Sequence, residues 1–377
     1  MRILLAGGGT GGHINPAVAI AGELAKIYPG SEFLFAAVPG NMEDTMIPKQ
    51  GYPVAHIKIA GFYRSLLPWD IAHNVKAAYW LALSGHRAEQ IVKDFNPDMA
   101  IGTGGYVSGP VIRKAEQMGV PVFLHEQNAF PGVTTKMLAP MAETIFLAFP
   151  EAEKRIPGGK HFEVVGNPVR HAFTGIDKAS ARKALGIDDH FTIVSVGGSL
   201  GATAINKMAA DLMAWHAPKG EINHFHGYGK NGRERFPKML RERGLDLSKY
   251  PRIKAMEFID QMHLYLAAAD LVISRAGAIT ISELEAVGAP SILVPYPYAA
   301  ENHQYHNGMV LQNAGAALVV EEKDYQKEWL IGEVEKFVRD PGRVKTFSEN
   351  ARKLAVTDTC ARIGASIQRT MAARGKG

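Results

Sequence analysis

The sequence predicts an α/β protein of two Rossmann-like domains facing across a cleft, and three observations predict it. Apolar strand-like runs alternate with helical patterns along the whole chain, the mark of parallel sheets with helices on both faces. Two strand-to-helix junctions are rich in glycine: Gly7-Gly8-Gly9-Thr10-Gly11-Gly12 near the start, and Gly197-Gly198-Ser199-Leu200-Gly201 about half a chain later. The length of 377 residues suits two domains of ordinary size, each with its own core.

The first domain reads as strands over Ile3 to Ala6, Phe33 to Val38, Val54 to Ile59, Met99 to Gly102, Val122 to His125 and Thr144 to Leu147. A second series opens at Thr192 to Val196 and continues through His224 to His226, Ile253 to Ala255, Leu271 to Ser274, Ile292 to Pro295 and Ala317 to Val320. The break is expected near Val165 to Lys178, giving domains 1–165 and 166–377, with the last helix packing back on the first. The halves echo one another. Pro97 to Gly102 leads to Gly104-Gly105-Tyr106, a helix, Gly119-Val120-Pro121 and a strand; Ala269 to Ser274 leads to Ala276-Gly277, a helix, Gly288-Ala289-Pro290 and a strand. In open parallel sheets ligands sit beyond the carboxyl ends of the strands, so these segments are expected to line one shared cleft.

Glycines at such a junction let backbone N–H groups approach an anion, and a following helix, here from about Pro16, adds the positive end of its dipole. The first cluster satisfies Gly-x-Gly-x-x-Gly, but no acidic residue closes the strand Phe33 to Val38 to hold a ribose, which disfavours NAD. It also opens like a P-loop, yet His13 stands where Lys belongs and no Ser or Thr follows it. Triphosphate hydrolysis is not expected.

Composition is that of a soluble globular protein, with 46% hydrophobic and 21% charged residues. The single cysteine, Cys360, cannot form an internal disulfide, and the chain enters a strand at once, so a cytoplasmic location is expected. No run approaches the roughly 18 apolar residues of a membrane span. A net charge of +5 favours anionic partners. Without zinc-type spacing, RNA-binding aromatics or a basic recognition helix, nucleic acid is not expected among them.

Six ordered motifs carry a resemblance: Gly9-Thr10-Gly11-Gly12-His13, Gly104-Gly105-Tyr106, His125-Glu126-Gln127-Asn128, Gly166-Asn167-Pro168-Val169-Arg170, Gly197-Gly198-Ser199, and Ser274-Arg275-Ala276-Gly277 through Ser282-Glu283. In these the sequence is similar to the MurG family of bacterial N-acetylglucosaminyltransferases. The resemblance implies the GT-B fold and transfer of N-acetylglucosamine from its UDP donor to undecaprenyl-diphosphate-N-acetylmuramoyl-pentapeptide. It implies a peripheral enzyme at the cytoplasmic face of the inner membrane, touching anionic lipids and cell-wall synthesis proteins. Donor contacts carried over from the family fall on Thr10, Gly11, Gly12, Asn128, Arg170, Ser199, Ile259, Ala278, Ile279, Thr280, Ile281, Ser282, Glu283 and Gln304, with Ile259 meeting uracil through its backbone and Met262 packing nearby. Position 303 is His where some relatives carry a second glutamine.

Chemistry supports several of these assignments. Glu283, early in a helix, can accept two hydrogen bonds from a ribose diol, or simply answer the helix dipole. Ser199 can donate to a diphosphate or cap a helix, and Arg170 offers a planar fork for phosphate oxygens or for an interdomain ion pair. For proton chemistry His13 and Glu126 are the rival bases; His13 could instead bind diphosphate. Tyr106 and Asn128 would position the acceptor or the N-acetyl sugar. No Asp-x-Asp pair closes a strand, so no metal or other cofactor is expected and the leaving UDP would be stabilised by backbone N–H groups, Arg170 and helix dipoles.

Between Phe62 and Val92, the apolar Phe62, Leu66, Leu67, Trp69, Ile71, Val75, Tyr79, Trp80 and Leu83 are interleaved with Arg64, Lys76, His86 and Arg87. Such a stripe suits either an interfacial helix among acidic headgroups or a helix packed on its sheet. Rival readings are a transferase of this type for a different lipid or small-molecule acceptor, an epimerase of UDP-N-acetylglucosamine on the same fold, which needs no acceptor surface, and a non-catalytic UDP-sugar sensor or scaffold, which needs no proton-transfer groups.

Overall fold

The structure is a computed structural model that describes residues 1–61 and 67–375. Thirteen parallel strands among them form two sheets. The first sheet holds β1 (Arg2–Gly7), β2 (Glu32–Ala37), β3 (Val54–His56), β4 (Met99–Gly104), β5 (Val122–Glu126), β6 (Thr144–Leu147) and β7 (Phe162–Val164), in the order β3-β2-β1-β4-β5-β6-β7. The second holds β8 (Phe191–Val196), β9 (Ile222–Gly227), β10 (Ile253–Met256), β11 (Leu271–Ser274), β12 (Ser291–Leu293) and β13 (Ala317–Val319), in the order β10-β9-β8-β11-β12-β13. Each sheet is the parallel, Rossmann-like half that the sequence predicts.

Alternation along β1 shows why the strands are apolar throughout. Leu4 and Ala6 point to one face, in a core shared with Ile91 and Val92 of the helix Pro68–Phe95 and Ile112 of the helix Ser108–Gln117. Ile3 and Leu5 point to the other, against Ile20 and Leu24 of the helix Gly11–Ile27. A strand covered on both faces has no polar side to show.

Contacts divide the chain into two compact units, 1–168 with 358–377, and 169–357. The helix Thr359–Ala373 belongs to the first: Ile363, Ile367 and Met371 are fully buried beside the helix Gly11–Ile27, each contributing about 1.5–3 kcal/mol of apolar burial. The Thr359 hydroxyl donates to the Val165 carbonyl at 2.7 Å, tying the helix start to the end of the first sheet.

Three local expectations change. The first helix begins at Gly11, not near Pro16, so Gly11, Gly12 and His13 form its first turn behind Thr10 as N-cap. Strand β7 is an edge strand of three residues, too short to register as a periodic pattern. Strand β3 stops at His56, although the Ile57 N–H still donates to Ala37 O at 2.9 Å.

Candidate active site

Sheet order fixes where chemistry collects. In the first sheet the chain winds outward both ways from the β1/β4 pair, and in the second from β8/β11. Loops leaving such a pair diverge and open a crevice at the carboxyl ends. His13 follows β1, Tyr106 follows β4 and Glu126 to Asn128 close the neighbouring β5; Ser199 follows β8, Ala278 to Glu283 follow β11 and Gln304 follows β12.

In the first unit the two glycine loops interlock. A Cβ on Gly105, whose φ is +78°, would fall 2.3 Å from the Gly8 carbonyl oxygen, so only glycine lets the loops meet. Beneath them lies Glu43, fully buried, with Oε2 accepting from Gly9 N–H at 2.9 Å and Oε1 from Val38 N–H at 3.4 Å. The Gly9 N–H thus serves a carboxylate of the chain itself. Thr103 Oγ1 donates to the His13 carbonyl at 2.8 Å, fixing the first turn that carries the imidazole.

His13 is half-buried, and its Nδ1 lies 2.9 Å from Gln127 Oε1. Gln127 Nε2 in turn lies 2.8 Å from the His125 carbonyl and 2.9 Å from His125 Nδ1, while His125 Nε2 meets the Gly166 carbonyl at 3.0 Å. Burial pushes His125 below the ordinary imidazole value. Glu126 is equally enclosed: Oε1 accepts from Asn128 N–H at 3.0 Å and Nδ2 at 3.1 Å, and Oε2 from Gly132 N–H at 3.0 Å. Tyr106 is exposed, its ring against Gly61, and Thr10 is exposed at the helix start.

In the second unit the turn after β8 is held by a close approach, since a Cβ on Gly201 would lie 2.1 Å from the Tyr228 carbonyl oxygen. Ser199 is exposed on this turn. A cavity of about 420 Å³ opens beside it, lined by Gly201, Thr203, Arg275, Tyr296 and Gln304 among others. Gln304 Oε1 accepts from Tyr296 N–H at 3.0 Å, which turns its amide nitrogen to other partners. Glu283 lies in the second turn of the helix Ala278–Val287, largely enclosed, with Oε1 3.2 Å from Arg170 Nη2. Burial raises the Glu283 carboxyl above its ordinary value, and the Arg170 charge partly opposes that rise. Arg170 itself is exposed and stacks 4.9 Å over the Phe173 ring.

Ile259 and Ile281 are buried and Ala278 nearly so, so their side chains serve packing and only their backbones can meet a ligand; Ser282 is buried too. Ile279, Thr280 and Met262 are half-buried. A second cavity of about 380 Å³, lined by Tyr305, Met309 and Trp329, contains no expected site residue. Sequence reasoning passed over Glu43, Thr103, Gln127 and Arg275. Arg275 Nη1 donates to the Val294 and Pro295 carbonyls, both at 3.1 Å, and Nη2 pairs with Glu322 at 2.5 Å, bracing the segment before Tyr296. The Ser-Arg-Ala-Gly run was the one signal that pointed to it.

The helix Pro68–Phe95 packs by its second half, through buried Ser84, Ala88, Ile91 and Val92. Up to Leu83 the helix leaves Trp69, Ile71, Val75, Tyr79 and Leu83 exposed, Trp69 and Val75 at 67% each, around buried Ala77 and with Lys76, His86 and Arg87 also exposed. Trp80 is half-buried under the Lys58 ammonium, 5.0 Å from its ring centroid. Phe62, Arg64 and Leu66 lie outside the described residues. No helix of the described residues is long and apolar enough to cross a membrane.

Residues 3–147 match the glycosyltransferase family 28 N-terminal domain and residues 192–363 its C-terminal domain. The UDP-N-acetylglucosamine–N-acetylmuramyl-(pentapeptide) pyrophosphoryl-undecaprenol N-acetylglucosamine transferase of Acetivibrio thermocellus is 38% identical over 96% of both chains. The enzyme of the same name from Moorella thermoacetica is 39% identical over 94% of this chain and 95% of its own. The crystal structure of Acinetobacter baumannii MurG superposes with a TM-score of 0.78 at 28% identity, covering 98% of this chain and 99% of that one. With both domains of the family in sequence order and relatives matched over nearly their whole length, the chain belongs to glycosyltransferase family 28, among its MurG-type N-acetylglucosamine transferases.

Proposed function

We propose that this protein transfers N-acetylglucosamine from UDP-N-acetylglucosamine to undecaprenyl-diphosphate-N-acetylmuramoyl-pentapeptide, with His13 as general base. An acceptor hydroxyl oxygen attacks the anomeric carbon in line; the bond from that carbon to the UDP oxygen breaks, the hydroxyl proton passes to His13 Nε2, and configuration inverts. One observation carries the choice of base. Both carboxylate oxygens of buried Glu126 already accept loop N–H groups, whereas His13 Nε2 has no hydrogen-bond partner among the described residues. A base needs an accessible lone pair.

Donor binding falls to the second unit. Glu283 accepts from the ribose diol, Ser199 and the N–H groups of its turn face the diphosphate, and Arg170 offsets the charge growing on UDP. Gln304 donates its amide hydrogens to the sugar, Ala278 to Thr280 contribute backbone contacts, and Ile259 with Met262 borders the base. Thr10, Gly11, Gly12 and Asn128 add donor contacts from the first unit, and Tyr106 with Asn128 positions the acceptor or the N-acetyl sugar. The exposed apolar half of the helix Pro68–Phe95, flanked by cations, docks on anionic lipid at the cytoplasmic face of the inner membrane, where the acceptor resides.

The direct test is turnover with UDP-N-acetylglucosamine and a short-chain lipid-linked muramyl acceptor. UDP release that requires the acceptor is expected. Release or epimerised donor without acceptor would instead favour an epimerase, and donor binding without either reaction a sensor.

A further inference from the structure

We infer that Gln127 is a positioning residue that dictates which nitrogen of His13 carries the proton, through a buried one-way hydrogen-bond chain ending on the Gly166 carbonyl. The inference rests on the reading of His13 as base. A backbone carbonyl only accepts. Gln127 Nε2 is 2.8 Å from the His125 carbonyl, so the NH2 end of the amide must face it, which fixes the amide orientation by chemistry. The second hydrogen of that NH2 goes to His125 Nδ1, 2.9 Å away, which therefore carries none. The one proton of the His125 ring sits on Nε2, where the Gly166 carbonyl at 3.0 Å requires a donor. The two carbonyls agree on one polarity.

What remains of Gln127 is Oε1, an acceptor only. His13 Nδ1, 2.9 Å from it, must therefore donate, and in the neutral ring Nε2 is left bare. Reversing any link would set two donors or two acceptors face to face among groups that are 1% and 2% exposed, His125 and Gln127, where an unmatched polar group is costly. Asn167 Nδ2 adds a hold on the Gln127 carbonyl at 3.1 Å, so the residue is pinned at backbone and side chain. The amide thus does for His13 what a carboxylate does for many catalytic histidines, without setting a negative charge beside the ring. Were the proton on Nε2 instead, the ring could not accept one from the acceptor until it changed tautomer.

The experiment uses the full chain labelled with 15N-histidine, with His13→Gln identifying the signal, and long-range 15N–1H spectra that read each ring's tautomer. Wild type is expected to show His13 protonated at Nδ1; Gln127→Leu a mixed or inverted tautomer; Gln127→Glu the wild-type tautomer at His13, where the acceptor is kept, with a lowered melting temperature because its second oxygen faces the His125 carbonyl. In turnover, Gln127→Leu is expected to lose roughly 10–100-fold in kcat with the donor KM within about twofold. Gln127→Glu should move the acid limb of the kcat profile to higher pH, because a carboxylate favours the charged ring. An Nε2–H ring in wild type, a tautomer indifferent to Gln127→Leu, or a changed tautomer with unchanged kcat each overturns the proposal. If the Leu variant does not fold, an unmoved pH profile in Gln127→Glu does so alone. Failure of the base reading shows separately, as undiminished turnover of His13→Ala with the wild-type tautomer still as expected.

Discussion

Arg170 and Glu283 form an ion pair within the second unit, Nη2 to Oε1 at 3.2 Å, so the fork expected for phosphate and the carboxylate expected for ribose sit side by side. Burial raises the Glu283 carboxyl and Arg170 partly restrains the rise. Only the ionised carboxylate accepts both hydrogen bonds of a diol. Donor affinity is therefore expected to fall with pH, beginning above the usual carboxylate range, and Arg170→Ala should move that fall to still higher pH. Glu283→Ala should weaken donor binding by about 1–3 kcal/mol at neutral pH. Calorimetry with UDP-N-acetylglucosamine across pH checks both; unchanged affinity in Glu283→Ala removes it from the ribose role.

How much of this was legible in the sequence differs by kind of contact. The parallel sheets were legible because doubly covered strands such as Leu4 to Ala6 show as unbroken apolar runs, and the glycine turns because few other residues fit there. His13 and Glu283 were found because their types stand out beside glycine. Glu43 and Gln127 were not, since each acts on a loop far away in sequence, Gly9 for one and His13 for the other. Nothing local in a glutamate or an amide reveals which distant partner it meets. The start of the first helix was misplaced because Pro16 reads as a starter, whereas it lies in the second turn.

Glu43 itself yields a test. Its burial under the first glycine loop, with Gly9 N–H at 2.9 Å, makes it a clamp on that loop. Glu43→Ala is expected to lower stability by about 1–3 kcal/mol and to speed hydrogen exchange at the Gly9 amide. Exchange at wild-type rate contradicts the clamp.

The exposed residues Trp69, Val75 and Tyr79 give a cleaner membrane test than Trp80, which is packed under Lys58. Replacing the three by Ser should leave the circular dichroism spectrum and the melting temperature nearly unchanged while reducing sedimentation with anionic vesicles. Turnover of a water-soluble acceptor analogue should persist. Full vesicle binding by the triple variant contradicts the lipid-docking role.

Acid stability should be governed by a buried histidine chain in the second unit. His216 Nε2 lies 3.0 Å from His224 Nδ1, and the Ser195 hydroxyl bridges His224 Nε2 at 2.9 Å to His226 Nδ1 at 2.8 Å. Burial holds His216 down at about 4 and His226 at about 3, against an ordinary 6.5, and lowers His224 as well. The unfolded chain therefore takes up protons below about pH 6.5 that the folded one refuses. Stability is full above that pH and is lost as pH falls toward 4 and 3, on the order of 3 kcal/mol from His216 alone. Melting curves between pH 8 and about pH 4 should show a flatter slope for His216→Gln than for wild type; equal slopes would rule the chain out as the cause.

The central claim is that His13 takes the proton, and saturating turnover of His13→Ala beside Glu126→Gln tests it most directly. With His13 as base, its removal lowers kcat by roughly 10²–10⁴-fold while UDP-N-acetylglucosamine affinity stays near wild type, because the help is felt in the transition state. Glu126→Gln keeps one carbonyl oxygen for the loop and is expected to lose far less. A larger kcat loss in Glu126→Gln, or a His13→Ala enzyme that is weakened mainly in donor binding, contradicts the account.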